Sequence, residues 1–275
     1  MAHGPGLVSV DEVELVGVWG RHADRAVPLA QQLGSRAYDD YGALLRDVDA
    51  VAFTVPPDVQ SVMATEAAKA GKHLLLEKPV STSVPAAHAL ADAARNVASV
   101  VFFTDRFAGT SRMWFEDVRR TGGWLGAWMR WFSALQAPDN PFGTSPWRHR
   151  LGALWDTGPH AFSTLTAALG PVTHVTATAG AGDLVNLVLR HQGGSSSTVT
   201  LTQFAPPAAE AYEVTVWGEA GFSTMPQRQA SPHEPLAVAA RELIASATSG
   251  TPHECDVRFG ARVVELITQA QDQLS

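Results

Sequence analysis

The amino-acid sequence predicts an α/β protein: a doubly wound parallel sheet, followed by an α+β domain with an open-faced, mostly antiparallel sheet. Three observations carry that reading. Up to Thr104, short apolar runs alternate with helix-like stretches, the pattern of parallel strands covered on both faces by crossover helices. Beyond Arg106 the strand-like runs lengthen and alternate apolar with polar residues, as in a sheet with one solvated face. A chain of 275 residues, 45% hydrophobic and 17% charged, is long and apolar enough for two ordinary packed domains. The expected division is a first domain over 1–106 and a second over 107–275.

The elements follow from local signals. Val13–Trp19 is β-branched and reads as a strand, and Ala23–Leu33 as the helix after it. Ala50–Val55 is a second strand, stopped by Pro56 and Pro57, which can end a strand and open a helix. That helix, Asp58–Ala70, closes at Gly71, the usual glycine position beyond a helix end. His73–Glu77 and Ser99–Thr104 are strands flanking a helix at Val84–Ala94. A helix ending at Arg120 leads into a long strand, Trp124–Leu135, and then a Pro- and Trp-rich loop. Gly152–Leu169 is expected as one helix, followed by strands at Val172–Thr178, Leu184–His191, Ser196–Phe204 and Tyr212–Trp217. Pro226–Pro235 is a loop by composition, and amphipathic helices at Leu236–Ala247 and Arg258–Leu274 finish the chain.

Several function classes are disfavoured. Formal net charge is −7 with no block of like charges, so the basic footprint of a nucleic-acid binder is missing. Cys255 is the only cysteine, which rules out an internal disulfide and a thiolate cluster for zinc; it reads as a small buried residue. His3, His22, His174, His191, His233 and His253 share no metal-ligand spacing, so no metal is expected. No apolar run reaches the roughly 18 residues of a membrane span and no leader-like start is seen, so no membrane partner is expected and the cytoplasm is the expected compartment.

Two constellations carry chemistry. In Gly71-Lys72-His73-Leu74-Leu75-Leu76-Glu77-Lys78-Pro79 a strand ends in a lysine followed by proline. Ligands of open α/β sheets bind beyond the carboxyl ends of the strands, which would aim Lys78 into that crevice, and an X-Pro bond there can be cis. An exposed turn is the plainer reading of a lone Lys-Pro. In Trp155-Asp156-Thr157-Gly158-Pro159-His160 the proline marks the first turn of a helix, so Asp156 and His160, four apart, can address one site. Each also has an ordinary reading, as an N-cap and as a satisfied interior histidine.

Together, Glu77-Lys78-Pro79 and Asp156-Thr157-Gly158-Pro159-His160, with Thr54-Val55-Pro56-Pro57 and Gly250-Thr251-Pro252, resemble the Gfo/Idh/MocA family of nicotinamide-dependent sugar oxidoreductases over nearly the whole chain. The resemblance implies an oxidoreductase moving hydride between NADP or NAD and a hydroxyl or carbonyl of a sugar, cyclitol or related compound. Lys78 would then hydrogen-bond the reacting hydroxyl, His160 would exchange its proton, and Asp156 would orient substrate or imidazole. The cofactor would meet Gly20, Arg21, Arg25, Thr54, Pro56, Pro57, Glu77 and Lys78. Gly20 stands where NAD enzymes carry an acid, and Arg21 with Arg25 can pair with a 2′-phosphate, so NADP is expected over NAD. Arg106, Trp147 and Arg148 fall where the family meets its substrate, and the open sheet implies a homo-oligomer.

Two departures bear on these expectations. Ser163 stands where the family often has an acid, and the glycine lead into the catalytic helix is reduced to Gly152. Aligned back from the Val13 strand, His3–Val10 falls on the family's first helix, so the first strand and its glycine-rich phosphate loop are absent and the Rossmann-type sheet is expected to be incomplete. Met1 is accordingly expected to be an internal or misassigned start. The alternative is a cofactor-deficient relative acting as a small-molecule-sensing or partner-binding module.

Overall fold

A computed structural model describes residues 3–135, 137, 140, 143–227 and 233–274. The chain divides into two compact units, Met1–Phe107 with Ala230–Ala261, and Ala108–Gln229 with Arg262–Ser275.

The first unit runs α1 (His3–Val8), β1 (Gly17–Trp19), α2 (Ala23–Gln32), β2 (Arg36–Tyr38), α3 (Tyr41–Asp47), β3 (Ala50–Ala52), α4 (Pro57–Lys69), β4 (His73–Leu76), α5 (Val84–Ala93), β5 (Ser99–Val101) and α6 (Thr104–Phe107). All strand pairs here are parallel, as alternation with helices requires. The strands form two separate sheets, β1–β2 and β3–β4–β5. Thus β1 and β3 each keep one edge unpaired among the described residues. Burial follows pairing: Leu74, Leu76, Val100 and Val101 are 0% exposed, whereas β1 is only half-buried and Ala50 in β3 is exposed. Each fully buried leucine or valine contributes roughly 1.5–3 kcal/mol, so this unit's core is centred on β4 and β5.

Some local expectations change. Val13–Val16 is not strand, because Val13 N–H turns back to the Val10 carbonyl and its side chain packs on a cluster of Val10, Ala237 and Ala240. The Arg36–Tyr38 strand and the helix after it carry too few periodic apolar residues to be read from sequence. Ser99–Thr104 stops at Val101, since the chain turns into α6 at Thr104. The expected first helix is present as α1, and α4 closes at Gly71 with φ 78°, a backbone conformation that favours glycine.

The second unit contains α7 (Gly109–Thr121), β6 (Trp124–Phe132), α8 (Pro146–Asp156), α9 (Gly158–Leu169), β7 (Val172–Ala179), β8 (Val185–His191), β9 (Ser196–Thr202), β10 (Ala211–Gly218) and β11 (Gly221–Thr224). They form one six-stranded sheet in the order β11-β10-β6-β9-β8-β7, antiparallel except for the β6–β9 pair. Strict burial alternation along β8, with Val185, Leu187, Leu189 and His191 inside and Asn186, Val188 and Arg190 outside, shows one covered and one open face. Two more helices follow, α10 (Glu234–Ser249) in the first unit and α11 (Val257–Gln271), which spans the boundary. The expected loops after Leu135 and at Pro226–Pro235 lie in part outside the described residues.

Candidate functional site

In the first unit the site residues gather at the carboxyl ends of the parallel strands. Beyond β1, Gly20 leads to Arg21, with Asp24 and Arg25 in the first turn of α2; both arginines are exposed and make no ion pair among the described residues. A Cβ built on Gly20 meets only Ala26, at 3.7 Å, so packing does not exclude a side chain there. Beyond β3, Thr54 is exposed, and Pro56 and Pro57 cap and open α4, where a missing N–H costs nothing. Beyond β4, the Lys78–Pro79 peptide is cis.

A residue not singled out from sequence governs that last turn. Gln60, fully buried on α4, donates from Nε2 to the Glu77 carbonyl (2.7 Å) and the Pro79 carbonyl (3.3 Å) and accepts from Glu77 N–H (2.8 Å). Its amide thereby continues the hydrogen-bond ladder where β3 has turned away at its prolines. The signal was legible: Gln60, Ala64 and Ala67 share the buried face of α4, and only one of them is polar. The Glu77 carboxylate meets His3 Nε2 at 3.1 Å and accepts from Lys78 N–H at 3.2 Å. Arg106, 7% exposed, pairs with Glu254 at 2.7 Å.

In the second unit the expected single helix is two. Gly152, at φ 69°, kinks α8, and Pro159, which has no N–H, breaks the ladder so that Thr157 separates α8 from α9. Asp156 is therefore the last residue of α8, and His160 lies in the first turn of α9. One carboxylate oxygen of Asp156, Oδ2, accepts from Arg148 Nε at 3.0 Å and from Gln203 Nε2 at 2.6 Å. Arg148 also lies over the Trp147 ring, 4.7 Å from its centroid. His160 is 8% exposed, and its ring packs 5.4 Å from that of Trp131. Sequence reasoning missed Gln203, although Val199, Leu201 and Gln203 fall on the inward parity of β9 and its extension, where a polar residue stands out. It also missed Asp183, whose place in a turn carries no such signal.

Elsewhere, burial pushes the Cys255 thiol up to about 12, so it is no nucleophile at neutral pH. No group of three or more His, Cys, Asp or Glu residues suited to a metal occurs among the described residues. No helix among them is long and apolar enough to cross a membrane.

Residues 1–104 match the oxidoreductase family with an NAD-binding Rossmann fold, and residues 122–223 match the Gfo/Idh/MocA C-terminal domain. The chain belongs to the Gfo/Idh/MocA oxidoreductase family. Among its relatives, a UDP-N-acetylglucosamine 3-dehydrogenase of Acidithiobacillus ferrooxidans is 39% identical over 77 residues, 28% of this chain and 25% of that protein. The aligned part of this chain thus spans a quarter of that relative's length. A dTDP-3,4-didehydro-2,6-dideoxy-α-D-glucose 3-reductase of Saccharopolyspora spinosa is 28% identical over 231 residues, 79% of this chain and 68% of that one. A levoglucosan dehydrogenase solved with NADH and levoglucosan shares the fold, with a TM-score of 0.86 at 17% identity, over 99% of this chain and 93% of that chain.

The strand ends suit the two ends of a nicotinamide dinucleotide. Arg21 and Arg25 lie exposed beyond β1, and Thr54, Glu77 and Lys78 place polar groups beyond β3 and β4, the side on which such a sheet would hold a dinucleotide. The first described element, α1, is a helix of six residues that carries Pro5 within it.

Proposed function

We propose that this protein is an NAD(P)-dependent oxidoreductase acting on a hydroxyl or carbonyl of a sugar, cyclitol or related compound. The observation that carries the reading is the Asp156–His160 turn, in which a carboxylate gripped by Arg148 and Gln203 immediately precedes a buried imidazole. The nucleotide-sugar and anhydrosugar substrates named for its relatives support the same substrate class.

In this reading Lys78 hydrogen-bonds the reacting oxygen, and its cation favours the alkoxide that hydride transfer develops. His160 takes or returns the hydroxyl proton, a step suited to the one side chain that titrates near neutrality. Asp156 orients the substrate or the imidazole. When bound, the nicotinamide supplies or accepts the hydride. Arg21 and Arg25, with no acid at Gly20, favour NADP over NAD, and Trp147 offers a ring face for a sugar. Arg148 and Arg106 are engaged by Asp156 and Glu254, and in this reading each also meets the substrate, because a guanidinium keeps further N–H donors when one nitrogen is paired.

Leu125, Val188, Trp217 and Phe222 are exposed on the large sheet, which supports a homo-oligomer formed through that sheet. The cytoplasm is the compartment proposed. The deciding experiment titrates NADPH and NADH by nicotinamide fluorescence, then assays turnover of UDP-N-acetylglucosamine, levoglucosan, glucose and myo-inositol. Binding of either cofactor with turnover of one of these is expected. Failure to bind both would favour the sensing or partner-binding module.

A further inference from the structure

We propose that Asp183 and Gln203 are positioning residues that aim the Asp156 carboxylate; the role rests on the oxidoreductase reading above. The kink at Gly152 restarts α8 at Ala153, whose N–H has no carbonyl one turn earlier to meet. Asp183, in the turn between β7 and β8, supplies the acceptor through Oδ2 at 3.1 Å. A carboxylate there caps the final turn of α8 from a distant part of the chain and suits the positive end of its dipole.

The same carboxylate accepts from Thr202 Oγ1 (2.6 Å to Oδ1) and from Gln203 N–H (3.2 Å to Oδ1, 3.0 Å to Oδ2). One side chain therefore ties the helix turn that ends in Asp156 to the backbone of Gln203, whose own side chain returns to Asp156 at 2.6 Å. The circuit Asp183, Ala153, Asp156, Gln203 is closed. It sets both the backbone and the side chain of Asp156.

Gln203 bears the mark of a residue held for aim and not for packing. It is fully buried, on the face that Val199 and Leu201 fill with apolar groups, and its Oε1 has no hydrogen-bond partner among the described residues. An unpaired buried carbonyl oxygen is costly, and a leucine or methionine would fill the position without that cost. What only the amide offers is a donor to the Asp156 carboxylate.

The test compares the parent protein with Asp183→Asn, which keeps the shape but turns a donor toward existing donors, and Gln203→Met, which keeps the volume. Each is made alone and combined with Asp156→Asn, and each is assayed with NADPH or NADH and the four compounds named above. Expected are crystal structures in which Asp156 shifts by about 1 Å or leaves Arg148, and a kcat about ten- to a hundredfold lower with KM within about threefold. In the Asp156→Asn background neither change should lower kcat further, because both act through that carboxylate. Crystal structures with Asp156 in place, or losses that multiply with Asp156→Asn, would overturn the proposal. A parent that turns over none of the four compounds counts against the oxidoreductase reading alone; the crystal structures then decide the positioning.

Discussion

Two buried glutamines, Gln60 and Gln203, hold the two turns on which the proposed chemistry depends, and they do so differently. Gln60 satisfies both ends of its amide against main-chain groups, taking over a strand's role beside Glu77, Lys78 and Pro79. It fixes where the Lys78 backbone runs. Gln203 gives its amide N–H to a charged side chain and leaves its oxygen without a partner. Arg148 completes the grip on that carboxylate. A neutral amide suffices to hold backbone, while holding a carboxylate takes donors only, so the second arrangement gives up part of its hydrogen bonding to direct one atom. Damage at Gln60 should therefore register first in stability, and damage at Gln203 first in activity.

The largest expected effect tests whether both turns serve one reaction. His160→Asn should lower turnover by roughly 10²–10⁴-fold, the usual scale of general acid–base assistance. Lys78→Ala should abolish turnover while weakening NADPH binding, read by fluorescence, far less, because its main partner in this reading is the reacting oxygen. If only one of the two substitutions mattered, the paired turns would not share a reaction.

The comparison itself is tested by denaturation in urea. Gln60→Leu removes three hydrogen bonds and leaves buried backbone groups unsatisfied, for an expected loss of about 2–3 kcal/mol. Gln203→Met, which removes a residue already half satisfied, should cost less than about 1 kcal/mol. Equal losses would erase the distinction between the two clamps.

A smaller effect is expected outside both clamps, at the exposed Arg21. Arg21→Ala should weaken NADPH binding by about tenfold and leave NADH binding unchanged, since only the former carries a 2′-phosphate. Equal affinity of the parent for NADP and NAD would remove the basis of that assignment.

The smallest effect distinguishes clamps that titrate from those that do not. His191 is buried between the Gly170 carbonyl and the Ser197 hydroxyl, and burial lowers its pKa from the ordinary 6.5. The folded state thus holds it neutral, and its contribution is complete above the unfolded value of 6.5 and is lost as pH falls from there toward the depressed folded value. His191→Gln should flatten this part of the stability profile, measured as urea midpoints between about pH 7.5 and 5.5. The Gln60 amide and the main-chain groups it meets carry no titrating proton in that range, so Gln60→Leu should leave the slope unaltered.

By itself, the sequence determined most of the order of elements, though not β2 and α3, along with the parallel and open-faced sheets and the two motifs with their lysine, carboxylate and imidazole. These are legible because hydrophobic period, proline and glycine act over a few residues: Leu74–Leu76 announces a strand buried on both faces, and Pro159 marks a helix start wherever it lies. The tertiary structure alone decided that Val13–Val16 turns away from the sheet toward Val10, that the expected Gly152–Leu169 helix divides at Thr157, and that Arg106 and Arg148 are engaged by carboxylates. It alone brought Gln60 to Glu77, 17 positions away, and Asp183 and Gln203 to the turn carrying Asp156, 47 positions before Gln203. A buried polar group must find its partner somewhere, but which partner depends on packing between elements distant in the chain, and no local pattern encodes it.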